Sequence, residues 1–278
     1  MILKKEDKMR QLSDTEIKAT ELEILNFFDS FCRSNGLKYS LAEGTLIGAV
    51  RHKGFIPWDD DLDVLMLRDD FEKMLNLFND DRFRIVKAQD NSVFPYLFVR
   101  IEDCQTKVVF ENKDKHSSYN GGVCVDVLPI DNFPDDPKEF KKLKRKIYIF
   151  SNFYRAKTRK QWCKSLGIGR NIVFVITKIL LLPIHKRYFR KKLLELMTRY
   201  NNVETKNKGY WTNYWHEPWI FPSTAFDGFT QMEFEGRNYS VLKNYDAYLR
   251  SEYGDYMQLP PVSMQIARHG FKAYYLNK

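Results

Sequence analysis

Residues 41–67 read LAEGTLIGAVRHKGFIPWDDDLDVLML, and the reading of this stretch decides the fold. The short apolar run 37–42 suits a strand, and Glu43-Gly44-Thr45 reads as a turn opening a short helix over 46–51. Gly54 and Pro57 break the chain, and LDVLML (62–67) has the length and content of a second strand. Backbone N–H groups of a Gly-Thr turn at a helix start can face an anion. Arg51 and His52 stand close behind it, and Asp59, Asp60, Asp61 and Asp63 crowd the approach to the second strand. Residues two apart on a strand share a face, so Asp61 and Asp63 are expected to point the same way while Leu62 and Val64 point into the core. Asp60 then points to the opposite face, which suits support over ligation. Two carboxylates on one face repel unless a cation lies between them, and hard oxygen ligands suit Mg²⁺ or Mn²⁺. The alternative is a solvated acidic turn before a strand.

Outward from this stretch, residues 13–35 read as a helix. Ser13 and Glu16 have capping-box spacing. Ile17, Ile24, Leu25, Phe28, Phe31 and Cys32 mark its buried face, and Asn35-Gly36 stops it. Asp69-Asp70 opens another helix, to about Phe78. Short strands are expected at 83–87, 96–101, 106–110 and 123–128. One helix followed by several strands implies an α+β domain with a mixed sheet and flanking helices. Within the last strand, VCVDVLP, Asp126 is flanked by valines, and an acid there is costly to bury without a partner.

Composition bounds the rest. The chain has 278 residues, 44% of them hydrophobic, enough to bury a core. Cys32, Cys104, Cys124 and Cys163 are widely spaced with no metal-type cluster, and residues 1–16 carry no apolar signal. A reducing cytoplasmic location is the expectation. The net charge of +9 is uneven. Between Lys138 and Lys192 there are 18 Lys and Arg against one acid, Glu139, so the remainder is net acidic. This segment reads as a basic helical insertion. Its centre, 172–184, is apolar but shorter than the roughly 20 residues a membrane span needs. Either it is a buried core helix behind a solvated face, or it rests on an anionic membrane surface. No nucleic-acid motif accompanies the charge, so nucleic acid is not an expected partner. The parts are a core over 1–137, the basic segment over 138–209, with Leu193, Leu194 and Met197 on one helical side, and a Trp- and Tyr-rich part over 210–278 that completes the core.

A Gly-Thr turn, an apolar-flanked DxD and a third acid on a neighbouring strand resemble the nucleotidyltransferase superfamily. The string EGTLIGAVRHKGFIPWDDDLDV (43–64) resembles the signature of the LicD family, which includes bacterial phosphocholine transferases and is related to the fukutin proteins. VDVLPID (125–131) and YGDYMQLPP (253–261), with His269, resemble its later motifs. The resemblance implies Asp61, Asp63 and Asp126 as catalytic carboxylates and metal ligands, and Gly44 and Thr45 as a phosphate-facing turn. Arg51 would be a phosphate clamp, and His52 either a second one or a structural donor. It implies metal-dependent transfer of phosphocholine from CDP-choline to a glycan hydroxyl of a cell-surface polysaccharide, teichoic acid or lipopolysaccharide precursor. That acceptor would be lipid-carried, with peripheral contact at the inner face of the cytoplasmic membrane through 138–192. Aromatic faces bind quaternary ammonium groups. Trp58 stands beside the acids, while Trp211, Trp215 and Trp219 are further choices or core packing. Transfer of another head group or of a nucleotidyl group is the enzymatic alternative, and a non-catalytic membrane-associated binding protein the other.

Overall fold

The computed structural model describes residues 9–87, 97–110, 121–158, 167–211, 217–267 and 270–276. Strand β1 (Met9–Gln11) leads into α1 (Asp14–Ser34). Ser13 caps α1: its hydroxyl accepts the Glu16 N–H, and Glu16 accepts the Ser13 N–H at 2.9 Å. Asn35 closes the helix, and Gly36 follows at φ +64°, in the left-handed region. Ile17, Ile24, Leu25, Phe28 and Cys32 form the buried face as the periodicity predicts, whereas Phe31 is partly buried beside it. Asp29 is also buried, held by Arg33, Arg237 and the Tyr39 hydroxyl.

Strand β2 (Ser40–Leu41) is followed by α2 (Glu43–His52). The residues predicted as a turn, 43–45, are therefore the first turn of the helix. Glu43 stands at φ +48°, so the reversal happens at a single residue instead of a separate loop. Then come β3 (Asp63–Leu67), α3 (Arg68–Leu77), β4 (Phe83–Val86), β5 (Val99–Asp103), β6 (Thr106–Phe110) and β7 (Cys124–Phe133). The predicted strand at 96–101 starts later, at Val99, and residue 96 lies outside the described residues. β7 continues five residues past the predicted end because it finds a second partner. It pairs with β3 through Ile130, and Asp131, Asn132 and Phe133 then pair with β8 (Asn207–Tyr210).

The main sheet has the order β2-β3-β7-β5-β4, with β8 and β9 (Trp219–Pro222) extending from β7. The β3–β7 pair is parallel and its neighbours are antiparallel, so the sheet is mixed and the fold α+β, as expected. Parallel strands buried on both faces are near-continuously apolar, and VLML and VDVLPI fit apart from their acids. α1 lies against β5 and β7, and α2 and α3 against β3. Arg68 at the start of α3 grips buried Asp131 with a two-pronged ion pair of 2.8 and 2.6 Å, which Asn201 reinforces at 2.7 Å.

The basic segment folds as α4 (Pro137–Thr158), α5 (Gly167–Leu180) and α6 (Lys186–Met197). Leu143, Ile147, Phe189, Leu193 and Met197 pack with Phe133 and Trp211 into a second apolar cluster. Leu194, predicted on the same side as Leu193 and Met197, faces outward: it sits about 100° around the helix from Leu193. Beyond β9, the hairpin β10 (Phe229–Phe234) and β11 (Arg237–Leu242) leads to α7 (Tyr245–Tyr253). Last, β12 (Phe271–Leu276) joins β1 and β6 in a three-stranded sheet. Among the described residues, Cys32, Cys104 and Cys124 are free thiols, and no helix is long and apolar enough to cross a membrane.

Candidate active site

The site is assembled by strand register. In the parallel pairing of β3 with β7, Asp63 and Asp126 are direct partners. The main chain at this point is held on three sides. The Asp63 N–H donates to the Thr45 hydroxyl at 2.8 Å, its carbonyl accepts the Ala42 N–H at 3.0 Å, and the Asp126 N–H donates to the Leu62 carbonyl at 2.9 Å. Asp59, Asp61, Asp63 and Asp126 all line one cleft of about 710 Å³. Burial, then the negative charges of Asp61 and Asp126, push the Asp63 carboxyl well above the usual range. A wall of carboxylates on one cleft is the donor chemistry of a hard divalent cation. Of the described acids, Asp59, Asp60 and Asp61 bring carboxylate oxygens within 4.8 Å of one another, so the tightest grouping precedes the strand. Strand alternation governs only from Asp63 onward, which is why Asp60 lies so near Asp61. Asp60 does not line the main cleft. It lines an adjoining cavity of about 50 Å³ with buried Glu21 and Glu102, and Asp61, Arg100 and Asp126 border both spaces.

The other sequence-derived residues divide. Gly44 lines the cleft, and its lack of a side chain is required: a Cβ there would stand 2.2 Å from Asp59 Oδ2. Thr45 is buried, its hydroxyl turned to the Asp63 main chain and away from the cleft. Arg51 lines the cleft, and its guanidinium also donates to the Tyr256 carbonyl at 2.6 Å, tethering the C-terminal segment. His52 is not among the cleft-lining residues; it meets Trp58 edge-on at 6.4 Å. Burial and the neighbouring Arg51 charge lower its pKa. Trp58 and Trp219 line the cleft, whereas Trp211 is buried in the second apolar cluster against Phe133. Trp215 and His269 lie outside the described residues.

Two groups escaped the sequence reading. Arg100, in β5, is the cross-strand partner of Asp126 and donates to both its carboxylate oxygens, at 2.7 and 3.3 Å. An arginine inside the apolar run LFVRI was the available signal. The second is Glu43, at the start of α2. Its carboxylate accepts the hydroxyls of Tyr210, Tyr248 and Tyr253, the latter two at 2.6 Å. Glu252 lies beside it, and burial together with the Glu43 charge pushes the Glu252 pKa up to about 11. This network joins α2 to β8 and α7 beneath the cleft wall and holds Glu43 in its left-handed conformation, which costs roughly 1–2 kcal/mol for a residue with a Cβ.

Known proteins align with this sequence. The family model described as LicD/FKTN/FKRP, nucleotidyltransferase domain, matches residues 36–195, a span that holds Asp59 to Asp63, Arg100 and Asp126. The lipopolysaccharide cholinephosphotransferase LicD of Haemophilus influenzae is 30% identical over 275 residues, covering 96% of this chain and all of that protein. Uncharacterized proteins of Rickettsia typhi and Rickettsia prowazekii are each 35% identical over shorter stretches of 96 and 78 residues, about a third of their own lengths. With the family model spanning more than half the chain and a relative aligned end to end, the chain belongs to the LicD family.

Proposed function

We propose that the chain transfers phosphocholine from CDP-choline to a hydroxyl group of a cell-surface glycan precursor, of lipopolysaccharide or teichoic acid type. The observation that carries this reading is the juxtaposition of Asp63 and Asp126 by β3–β7 register within the acidic cleft, in a chain similar throughout its length to a lipopolysaccharide cholinephosphotransferase. The acceptor hydroxyl attacks the phosphorus that bears choline and gives up its proton to a cleft carboxylate, the bond to the CMP phosphate breaks in line, and CMP leaves. A divalent cation, Mg²⁺ or Mn²⁺, held by Asp61 and Asp63 with Asp126, supplies charge neutralisation of the diphosphate when bound. The protein's own groups do the rest. Arg100 donates to both oxygens of the Asp126 carboxylate and holds its orientation at the cleft. The Arg51 guanidinium, on the cleft wall, is placed to meet phosphate oxygens while it anchors the Tyr256 carbonyl. Gly44 leaves room for Asp59, and Thr45 sets the height of Asp63 through its main chain. The faces of Trp58, Trp219 and Tyr253 on the same cleft suit a quaternary ammonium group.

The test is incubation of the purified chain with CDP-choline, Mg²⁺ and glycan acceptors, following CMP and phosphocholine-bearing acceptor. Stoichiometric appearance of both supports the proposal. Release of free phosphocholine with CMP joined to the acceptor would assign nucleotidyl transfer, and transfer only from a different CDP-linked head group would reassign the donor.

A further inference from the structure

In a water-soluble amphipathic helix the apolar stripe faces the protein. In α5 it faces outward. Ile168, Ile172, Val175, Ile176 and Ile179 recur at helical spacing on one side, flanked by Val173 and Leu180, and all seven are between 46% and 72% exposed. The helix is held from its other side. Asn171 is buried, the Arg155 guanidinium lies 5.5 Å from the Phe174 ring centre, and Lys157 donates to the carbonyls of Leu181 and Leu182 at 2.9 and 3.3 Å. So the run that the sequence allowed to be a buried core helix is not one, and its position is fixed by contacts that leave the apolar side uncovered. An exposed patch of this kind marks an interaction surface.

We infer that the outer face of α5 docks into the interface of an anionic bilayer. Charge complementarity selects this occupant. The segment Lys138–Lys192 carries 18 basic residues against one acid, and Lys141, Lys142, Arg145, Arg170, Arg187 and Lys191 are exposed on α4, α5 and α6. A second copy of the same basic segment would meet like charge with like, whereas a surface of acidic lipid is attracted to it. At 14 residues α5 is about 21 Å long, too short for the roughly 30 Å hydrocarbon core, so it lies along the surface instead of crossing it. The inference rests on the exposed surface and not on the phosphocholine reading.

The full chain would be cosedimented with vesicles of phosphatidylcholine alone and of phosphatidylcholine mixed with phosphatidylglycerol. The wild type is expected to bind the mixed vesicles, and binding should weaken as salt rises. Ile172→Glu, Ile176→Glu and Ile179→Glu should each lower vesicle affinity about tenfold or more with unchanged melting temperature, because the side chains are already in water. Val203→Glu, at an exposed valine away from α5, should bind like wild type. Absence of wild-type binding, equal binding to neutral vesicles, undiminished binding by the Ile→Glu variants, or a dimer dissolved by those same substitutions would each overturn the inference. Vesicle binding retained alongside failure to release CMP from CDP-choline would count against the catalytic reading alone.

Discussion

Asp63 is ionised only at a cost, because burial and the charges of Asp61 and Asp126 oppose it. The sign of its pH dependence follows. A carboxyl whose folded pKa is raised contributes stability below its unfolded value and loses it as pH rises through the folded value. Asp63→Asn should therefore raise the melting temperature of metal-free protein by a few degrees at about pH 8 and by less at about pH 5. It should also abolish transfer, and Mg²⁺ should stabilise the wild type but not the variant. A melting series with and without Mg²⁺ checks all of this, and an Asn variant that melts lower than wild type at high pH would contradict it. Gly44 is a case of space, not charge. Gly44→Ala puts a methyl 2.2 Å from Asp59 Oδ2, so the carboxylate must move. A displacement of this size at a reacting centre costs about 100-fold in turnover, while the melting temperature should change little. Wild-type turnover in the alanine variant would show that Asp59 has no part in the reaction.

At the scale of elements, the cleft is closed by a clamp between α2, β8 and α7. Glu43 accepts three tyrosine hydroxyls, and its charge together with burial raises the pKa of Glu252. Glu43→Ala leaves those donors unpaired and releases α7 and the segment that Arg51 tethers, so it should destabilise by about 2–4 kcal/mol in denaturant unfolding. Glu252→Gln keeps a donor toward Glu43 without the proton. Its stability should equal or exceed that of wild type, and the difference should grow as pH climbs toward the Glu252 pKa of about 11. The same clamp shows where sequence reading reaches its limit. α1 and β3 were legible because their signals are local: a capping box, a stripe at helical spacing, an apolar run. Asp63 and Asp126 stood out because each interrupts such a run. Arg100 also interrupts such a run, but its role and that of Glu43 depend on partners 26 and 167 to 210 residues away, fixed only by register and tertiary packing. Among the strands from 207 to 276, β8 pairs with β7 and β12 with β1 and β6 across long separations, which no local signal carries.

Across the whole molecule, apolar packing is divided unevenly. One cluster runs from Leu12 to Ala273 through the main sheet and its helices, and a smaller one binds α4 and α6 to Phe133 and Trp211. α5 belongs to neither by its outer face; Asn171 is its fully buried side chain, and its anchors are Arg155 and Lys157 at one side and end. Regions with little apolar burial and an exposed hydrogen-bonded backbone open locally at a small fraction of the global unfolding free energy. Amide hydrogens of α5 should therefore exchange much faster than those of β3 and β7, by about 100-fold or more, a gap of only about 3 kcal/mol in opening free energy. Those of α4 and α6 should fall between. Adding anionic vesicles should slow exchange in α5 and leave β3 and β7 unchanged, since a bilayer covers the face that the fold leaves bare and touches nothing in the main sheet. Hydrogen-exchange mass spectrometry resolves these elements as separate peptides. Protection in α5 equal to that of the main sheet without vesicles would mean that α5 is already a packed part of the core, and its exposed isoleucines would then need another explanation.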